Sequence, residues 1–140
     1  MISTKGRYAL RVMIDLAEHS EKGVIPLKDI AFRQEISKKY LEIIVRELVS
    51  GGLIRGTSGK GGGYQLCRRP EDYSVKEILE LMEGTLAPVA CLECSAAECS
   101  RASFCKTLPM WKEFYSVIED FFGGRTLADL AFGGKGNKEI

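Results

Sequence analysis

The chain has 140 residues, of which 45% are hydrophobic and 28% charged, with a formal net charge of +1. That composition fits one compact globular unit with an appendage. It excludes collagen-like, low-complexity and membrane-spanning chains, since no apolar run approaches the roughly 18 residues of a bilayer span. The small net charge conceals a division: residues 1–70 carry 13 Lys and Arg against 7 Asp and Glu, whereas residues 71–140 carry 7 against 12. A basic half suits a polyanion, because each phosphate neutralised by Lys or Arg releases condensed counterions. The N-terminus has no secretory signal pattern, so the protein is expected in the cytoplasm with no membrane partner.

Ser3 and Thr4 predict the cap of a first helix from about Lys5 to His19, on which Tyr8, Ala9, Val12, Met13, Leu16 and Ala17 recur at helical spacing. Gly23 ends that region, and Pro26 is expected at the first position of a short second helix over roughly Leu27 to Gln34. After a tight turn through Glu35 and Ile36, Ser37 caps a third helix with Leu41, Ile44, Val45, Leu48 and Val49 on one side. Gly51 and Gly52 stop it. Leu53-Ile54-Arg55 and Tyr64-Gln65-Leu66 read as two strands around a glycine-rich tip, with Cys67 beside them as a small buried filler. Ser74 to Glu77 forms a capping box for a short helix with Val75, Ile78, Leu79 and Met82 inward. A longer helix over about Thr107 to Phe122 carries a stripe of Trp111, Phe114, Tyr115, Ile118, Phe121 and Phe122. Thr126 to Asp129 is a second capping box for a short last helix, followed by a polar tail.

Helix, helix, turn, helix, hairpin is the element order of a winged helix-turn-helix, and the basic half of the chain coincides with it. The expected class is therefore mainly α, a winged helix-turn-helix DNA-binding domain with a long C-terminal dimerisation helix. The expected divisions are the DNA-binding domain over 1–72, a short helix and connector over 73–90, a cysteine loop over 91–106, the dimerisation and last helices over 107–132, and the tail over 133–140. In such a domain the N-terminal turn of the third helix enters the major groove of double-stranded DNA. That turn offers Ser37, Lys38, Lys39, Tyr40 and Glu42, whose hydroxyl, ammonium and carboxylate groups match phosphates and base edges. The tip fails as a nucleotide loop, because Ile54 stands where a P-loop needs its first glycine, and Tyr64 stands where a dinucleotide fingerprint needs its third. As a wing it offers Arg55, Ser58, Gly59 and Lys60 to the sugar-phosphate backbone and minor groove. No cysteine-histidine or paired-carboxylate arrangement supports catalysis, so neither an enzyme nor a small-molecule substrate is expected.

Four of the five cysteines follow the spacing Cys91-x2-Cys94-x4-Cys99-x5-Cys105. In a reducing compartment such clustering points to metal ligation or redox chemistry before structural disulfides. Thiolates on a flexible loop can converge on a soft metal centre; spacing alone leaves an iron-sulfur cluster, structural zinc and a thiol switch open.

The segments Ser3 to Ala9, Ile36 to Glu42, Gly59 to Tyr64, and Cys99-x5-Cys105 followed by Trp111 resemble the IscR-type iron-sulfur regulators of the Rrf-two family, over nearly the whole chain to about residue 132. That family includes the nitric-oxide sensor NsrR and the cysteine-metabolism repressor CymR. The resemblance implies a homodimer joined along the long helix, with the third helix and wing on an operator. It further implies Cys91, Cys99 and Cys105 as ligands of a cluster, 2Fe-2S with 4Fe-4S as the alternative. Leu108 stands where the IscR-type pattern has a ligating histidine, so the fourth ligand falls to Cys94 or to the partner's first helix; Ser58 replaces a wing arginine. The implied function is cluster-dependent repression of iron-sulfur biogenesis genes. Nitric-oxide or redox sensing is the alternative within the family, and an iron-sulfur electron carrier or zinc-stabilised interaction module the alternative outside it.

Overall fold

The computed structural model describes residues 2–93 and 100–133. Helix α1 spans Thr4–Glu18, and the Ser3 hydroxyl caps it by accepting from the Gly6 amide at 3.0 Å. Its stripe of Ala9, Val12, Met13, Leu16 and Ala17 is fully buried and forms the centre of the main core. Helix α2 spans Leu27–Gln34, with Pro26 one residue before it as the N-cap and not inside the first turn. The displacement is physical: Pro26 keeps an extended ψ of 143°, which leads the chain out of the pairing that Ile25 makes with Tyr64.

Helix α3 spans Lys38–Ser50, and Ser37 caps it by accepting from the Tyr40 amide at 3.1 Å. Leu41, Ile44, Val45 and Leu48 point inward as expected, but Val49 is 40% exposed. At about 100° per residue Val49 lies on the flank beyond Val45, outside the buried sector. Strands β1, Ile54–Thr57, and β2, Gly63–Leu66, pair antiparallel with Ile54 opposite Leu66 and Thr57 opposite Gly63. The first strand thus begins one residue later than expected, because the Leu53 carbonyl is taken by the Tyr73 hydroxyl at 2.6 Å. Gly63 is required where it stands, since a Cβ there would collide with the Ile25 backbone, which exchanges two 2.8 Å hydrogen bonds with Tyr64.

Tyr73 is fully buried, and its hydroxyl also accepts from the amides of Cys67 at 2.9 Å and Arg68 at 3.1 Å. One phenol therefore joins the start of the first wing strand to the end of the second. Tyr73→Phe leaves those three groups without this partner and is expected to cost about 1–3 kcal/mol, read as a lower urea midpoint with an unchanged slope. Cys67 is exposed and not a buried filler: Tyr64 and Leu66 are the residues of this strand that pack against the main core, and the alternation of side chains along extended chain turns the next residue, Cys67, to the other face.

Helix α4, Val75–Glu83, opens with the Ser74 and Glu77 capping box and buries Val75, Ile78, Leu79 and Met82. Helix α5, Leu108–Gly123, buries no residue completely. Its stripe divides: Tyr115, Ile118 and Phe122 pack with Val75, Leu79, Leu86 and Ile2 in a second small core, whereas Phe114 and Phe121 are exposed, together with Met110 and Val117. Helix α6, Leu127–Phe132, folds back onto α1 and sets Leu127 at 0% exposure in the main core. Hydrogen bonds from the Val75 amide to Arg125 and from the Leu127 amide to Tyr73 hold that return. The tail from residue 134 onward lies outside the described residues. None of the described helices is long and apolar enough to cross a membrane.

Candidate DNA-reading surface and cysteine loop

Ser37, Lys38, Lys39 and Glu42 stand exposed at the start of α3, and Arg55, Ser58, Gly59 and Lys60 stand exposed on the wing. Tyr40 differs: it is half-buried, edge-on to Tyr8 of α1 at 5.7 Å between ring centroids, with the Arg11 guanidinium 5.1 Å from the centroid of the Tyr8 ring. Its body is therefore a packing element that sets where α3 begins. Gly59 and Gly61, with φ of +86° and +79°, turn the wing tip through conformations that an L side chain resists.

Between α3 and the wing runs an open groove of about 780 Å³. It brings together Lys38, Glu42 and Ser58 among the expected residues, and adds Arg46 from α3 and Lys28 from the first turn of α2. Lys39, Arg55 and Lys60 do not line it. Arg46 was legible, one helical turn beyond Glu42; Lys28 was not, because only the crossing of α2 over α3 carries it there. Lys28, Lys38, Lys39, Arg46, Arg55 and Lys60 have no ion-pair partner among the described residues, which leaves their charge free for phosphates.

The turn before α3 is held from behind by Asp15, the one fully buried charged side chain among the described residues. Arg33 donates to both of its carboxylate oxygens, at 3.0 and 2.7 Å, and the Gln34 side-chain amide donates at 2.9 Å. Arg11 donates to the Gln34 backbone carbonyl, and Glu35 then reverses the chain in the left-handed region at φ 54°. Burial pushes the Asp15 carboxyl up, but the hydrogen bonds from Arg33 and Gln34 and the charges of Arg33 and His19 outweigh it, holding the carboxyl below its ordinary value. His19, the chain's only histidine, is engaged here through its Nδ1, 2.9 Å from the Asp15 carbonyl oxygen.

The cysteine segment lies between α4 and α5. Cys91 is exposed on a short 3-10 turn, Ala90–Leu92, and Cys105 is half-buried three residues before α5. The Cys105 thiol lies 3.4 Å from the Thr107 hydroxyl. That contact, with the Thr107 and Leu108 amides and the charge of Arg101, holds its thiol below the ordinary value. A thiol whose ionised form is favoured in this way has the chemistry of a soft-metal ligand. Cys94 and Cys99 lie outside the described residues, and among the described ones no three metal-binding side chains converge. At the N-terminal end of the same region, the Ser3 amide and hydroxyl donate to Glu83 at 3.0 and 2.8 Å, tying α1 to the end of α4.

A three-helix core whose third helix and glycine-tipped hairpin flank a cationic groove defines a winged helix-turn-helix transcriptional regulator. The chain belongs to the Rrf-two (Rrf2) family: the family model described as an iron-dependent transcriptional regulator matches residues 2–132. It is 39% identical over 129 residues to protein rrf2 of Nitratidesulfovibrio vulgaris, covering 92% of this chain and 85% of that one. To the HTH-type transcriptional regulator IscR of Aliivibrio salmonicida it is 35% identical, covering 92% of this chain and 76% of the relative. Among solved structures it resembles CymR, the global cysteine regulator of B. subtilis, with a TM-score of 0.78, 34% identity and coverage of 96% and 98%. T. potens IscR follows with a TM-score of 0.75, 33% identity and coverage of 100% and 92%. These relatives are regulators, and the chain is a regulator and not an enzyme.

Proposed function

We propose that the chain is an iron-sulfur-cluster-dependent repressor of cluster biogenesis genes, acting as a homodimer on double-stranded DNA. The observation that carries this reading is the run of four cysteines between α4 and α5 in a chain that shares a third of its residues with IscR relatives. Cys91, Cys99 and Cys105 would hold the cluster, with Cys94 as fourth ligand, because the half-buried Leu108 offers no donor and His19 stands at the C-terminal end of α1, whereas the end that adjoins the cysteine segment is the N-terminal one, tied to Glu83 through Ser3. When bound, the cluster supplies a redox-sensitive crosslink between its ligands, 2Fe-2S being the type favoured by the resemblance. Cys91 follows α4 and Cys105 precedes α5, so joining them constrains the angle between these helices. Glu83, at the end of α4, passes the constraint to α1 through Ser3, and Asp15 passes it on to the helix-turn-helix.

The uncovered face of α5, with Met110, Phe114, Val117 and Phe121, is the surface a second copy would bury. Two-fold symmetry then places two copies of α3 on half-sites about one turn of DNA apart. Ser37, Lys38, Lys39 and Glu42 would meet the major groove, while Arg55, Ser58, Gly59 and Lys60 follow the backbone towards the minor groove.

The test is anaerobic purification with iron and sulfide analysis, followed by operator binding before and after metal removal. Matched iron and sulfide, and at least a tenfold change in affinity on removal, are expected. A colourless zinc protein, or equal binding with and without metal, overturns the reading. On the DNA side, Lys38→Ala and Lys39→Ala are each expected to make log affinity fall less steeply with log salt, by about 0.9 for each phosphate no longer neutralised.

A further inference from the structure

We propose that Ile43 is a base-reading residue that packs against the 5-methyl group of a thymine in the major groove. The inference rests on the reading that α3 enters that groove. At about 100° per residue, Lys39, Glu42, Ile43 and Arg46 share the helix face opposite the buried Leu41, Ile44, Val45 and Leu48. Three of these four carry charge, and the fourth is an aliphatic side chain left 45% exposed. It belongs to neither hydrophobic cluster.

Its exposed part is left open on both sides of the helix. On the α1 side of the helix, the next turn is occupied by Glu47, which is tied to Lys5 at 3.0 Å. On the wing side, the groove is lined by Lys38, Glu42, Arg46 and Val49 but not by Ile43. Val49 is the other exposed aliphatic residue of α3, but it lies in the last turn, away from the end that approaches the bases.

Chemistry selects the partner. In the major groove the edges of guanine, cytosine and adenine present donors and acceptors, and thymine alone adds an apolar group. A side chain without a donor or acceptor gains there only by covering that methyl. Isoleucine suits the task further because its branched Cβ keeps one main rotamer in a helix, so little side-chain freedom is lost on contact. The neighbouring charges complete the arrangement: Lys39 and Arg46, one turn before and after, can hold phosphate or guanine while Ile43 reports on the base between them.

The experiment begins with a duplex selected by the wild-type protein from a random-sequence pool. Each thymine is then replaced singly by deoxyuridine, which removes the methyl and keeps the pairing. Wild type is expected to lose about fourfold in affinity per half-site at one thymine position and nothing at the others. Ile43→Ala is expected to bind the thymine and uracil duplexes equally at that position, and Ile43→Val to keep most of the discrimination. Unfolding curves of both variants, measured alongside, are expected to match wild type because the site is exposed. Indifference of wild type to every replacement, or an unchanged thymine preference in Ile43→Ala, overturns the assignment to Ile43 while leaving DNA reading intact. A pool that yields no selected sequence overturns both.

Discussion

Replacing Asp15 by alanine is expected to destabilise the folded chain by about 3 kcal/mol and to weaken operator binding with it. Removing one partner of a buried ion pair typically costs about 3–5 kcal/mol, because the other charge is left without compensation. The lower end applies here, since the Arg33 side chain is 29% exposed and can turn to water, whereas Asp15 is at 0%. Asp15→Asn keeps the shape but turns one of the two oxygens to which Arg33 donates into an amide donor and removes the charge, so it is expected to cost nearly as much. The pH dependence has a definite sign. The folded-state carboxyl is held below its ordinary value, so its stabilisation is complete above the unfolded value of about 3.9 and fades as pH falls through the lowered one. Urea unfolding at pH 7 and in stronger acid should therefore show the gap between wild type and Asp15→Ala closing as the solution is acidified. A gap that stays constant or widens in acid would mean that the carboxylate charge contributes nothing at this position.

The second large effect is expected in the cysteine loop, on the proposal that it holds a cluster. Cys105→Ser should retain no iron, because a serine hydroxyl is a far weaker acid than a thiol and a poor ligand for a soft metal. The variant should bind the selected operator with one affinity, equal to that of the metal-free wild type. Cys94→Ala tests the fourth ligand in the same assay: loss of the cluster assigns it, and an unchanged spectrum transfers the role to the partner subunit. Cys67→Ser is the control, since Cys67 lies beside the wing and its replacement is expected to leave iron content untouched. Full iron and sulfide in Cys105→Ser would remove this residue from the ligand set.

Much of this molecule is readable because its signals are local. Ser3, Ser37, Ser74 and Thr126 each accept from a backbone amide three residues on, and all four helix starts fall within a residue of expectation. The buried stripes of α1 and α4 follow from periodicity alone, as do the three-helix order and the hairpin. The departures have physical causes as well. Val49 looks inward by composition although its angle on the helix puts it on the flank, and Cys67 looks buried by residue type although it follows the core-facing Leu66 and so falls on the opposite face. Of the candidate DNA-reading residues, those on α3 and the wing are legible, whereas Lys28 becomes a candidate only through the packing of α2.

The sequence by itself determined the class and most element boundaries and marked where the candidate chemistry lies, since caps, periodicity and cysteine spacing act over a few residues. The tertiary structure alone decided how these parts are coupled. Asp15 meets Arg33 across 18 positions, Tyr73 meets Leu53 across 20 and Ser3 meets Glu83 across 80, while α6 returns to α1 rather than extending α5. It also divided the aromatic stripe of α5 into a half that closes the chain's own second core and a half left open. Contacts of that range are invisible to any local pattern, because which side chains meet depends on how whole helices cross, and that is set by burial summed over the entire core.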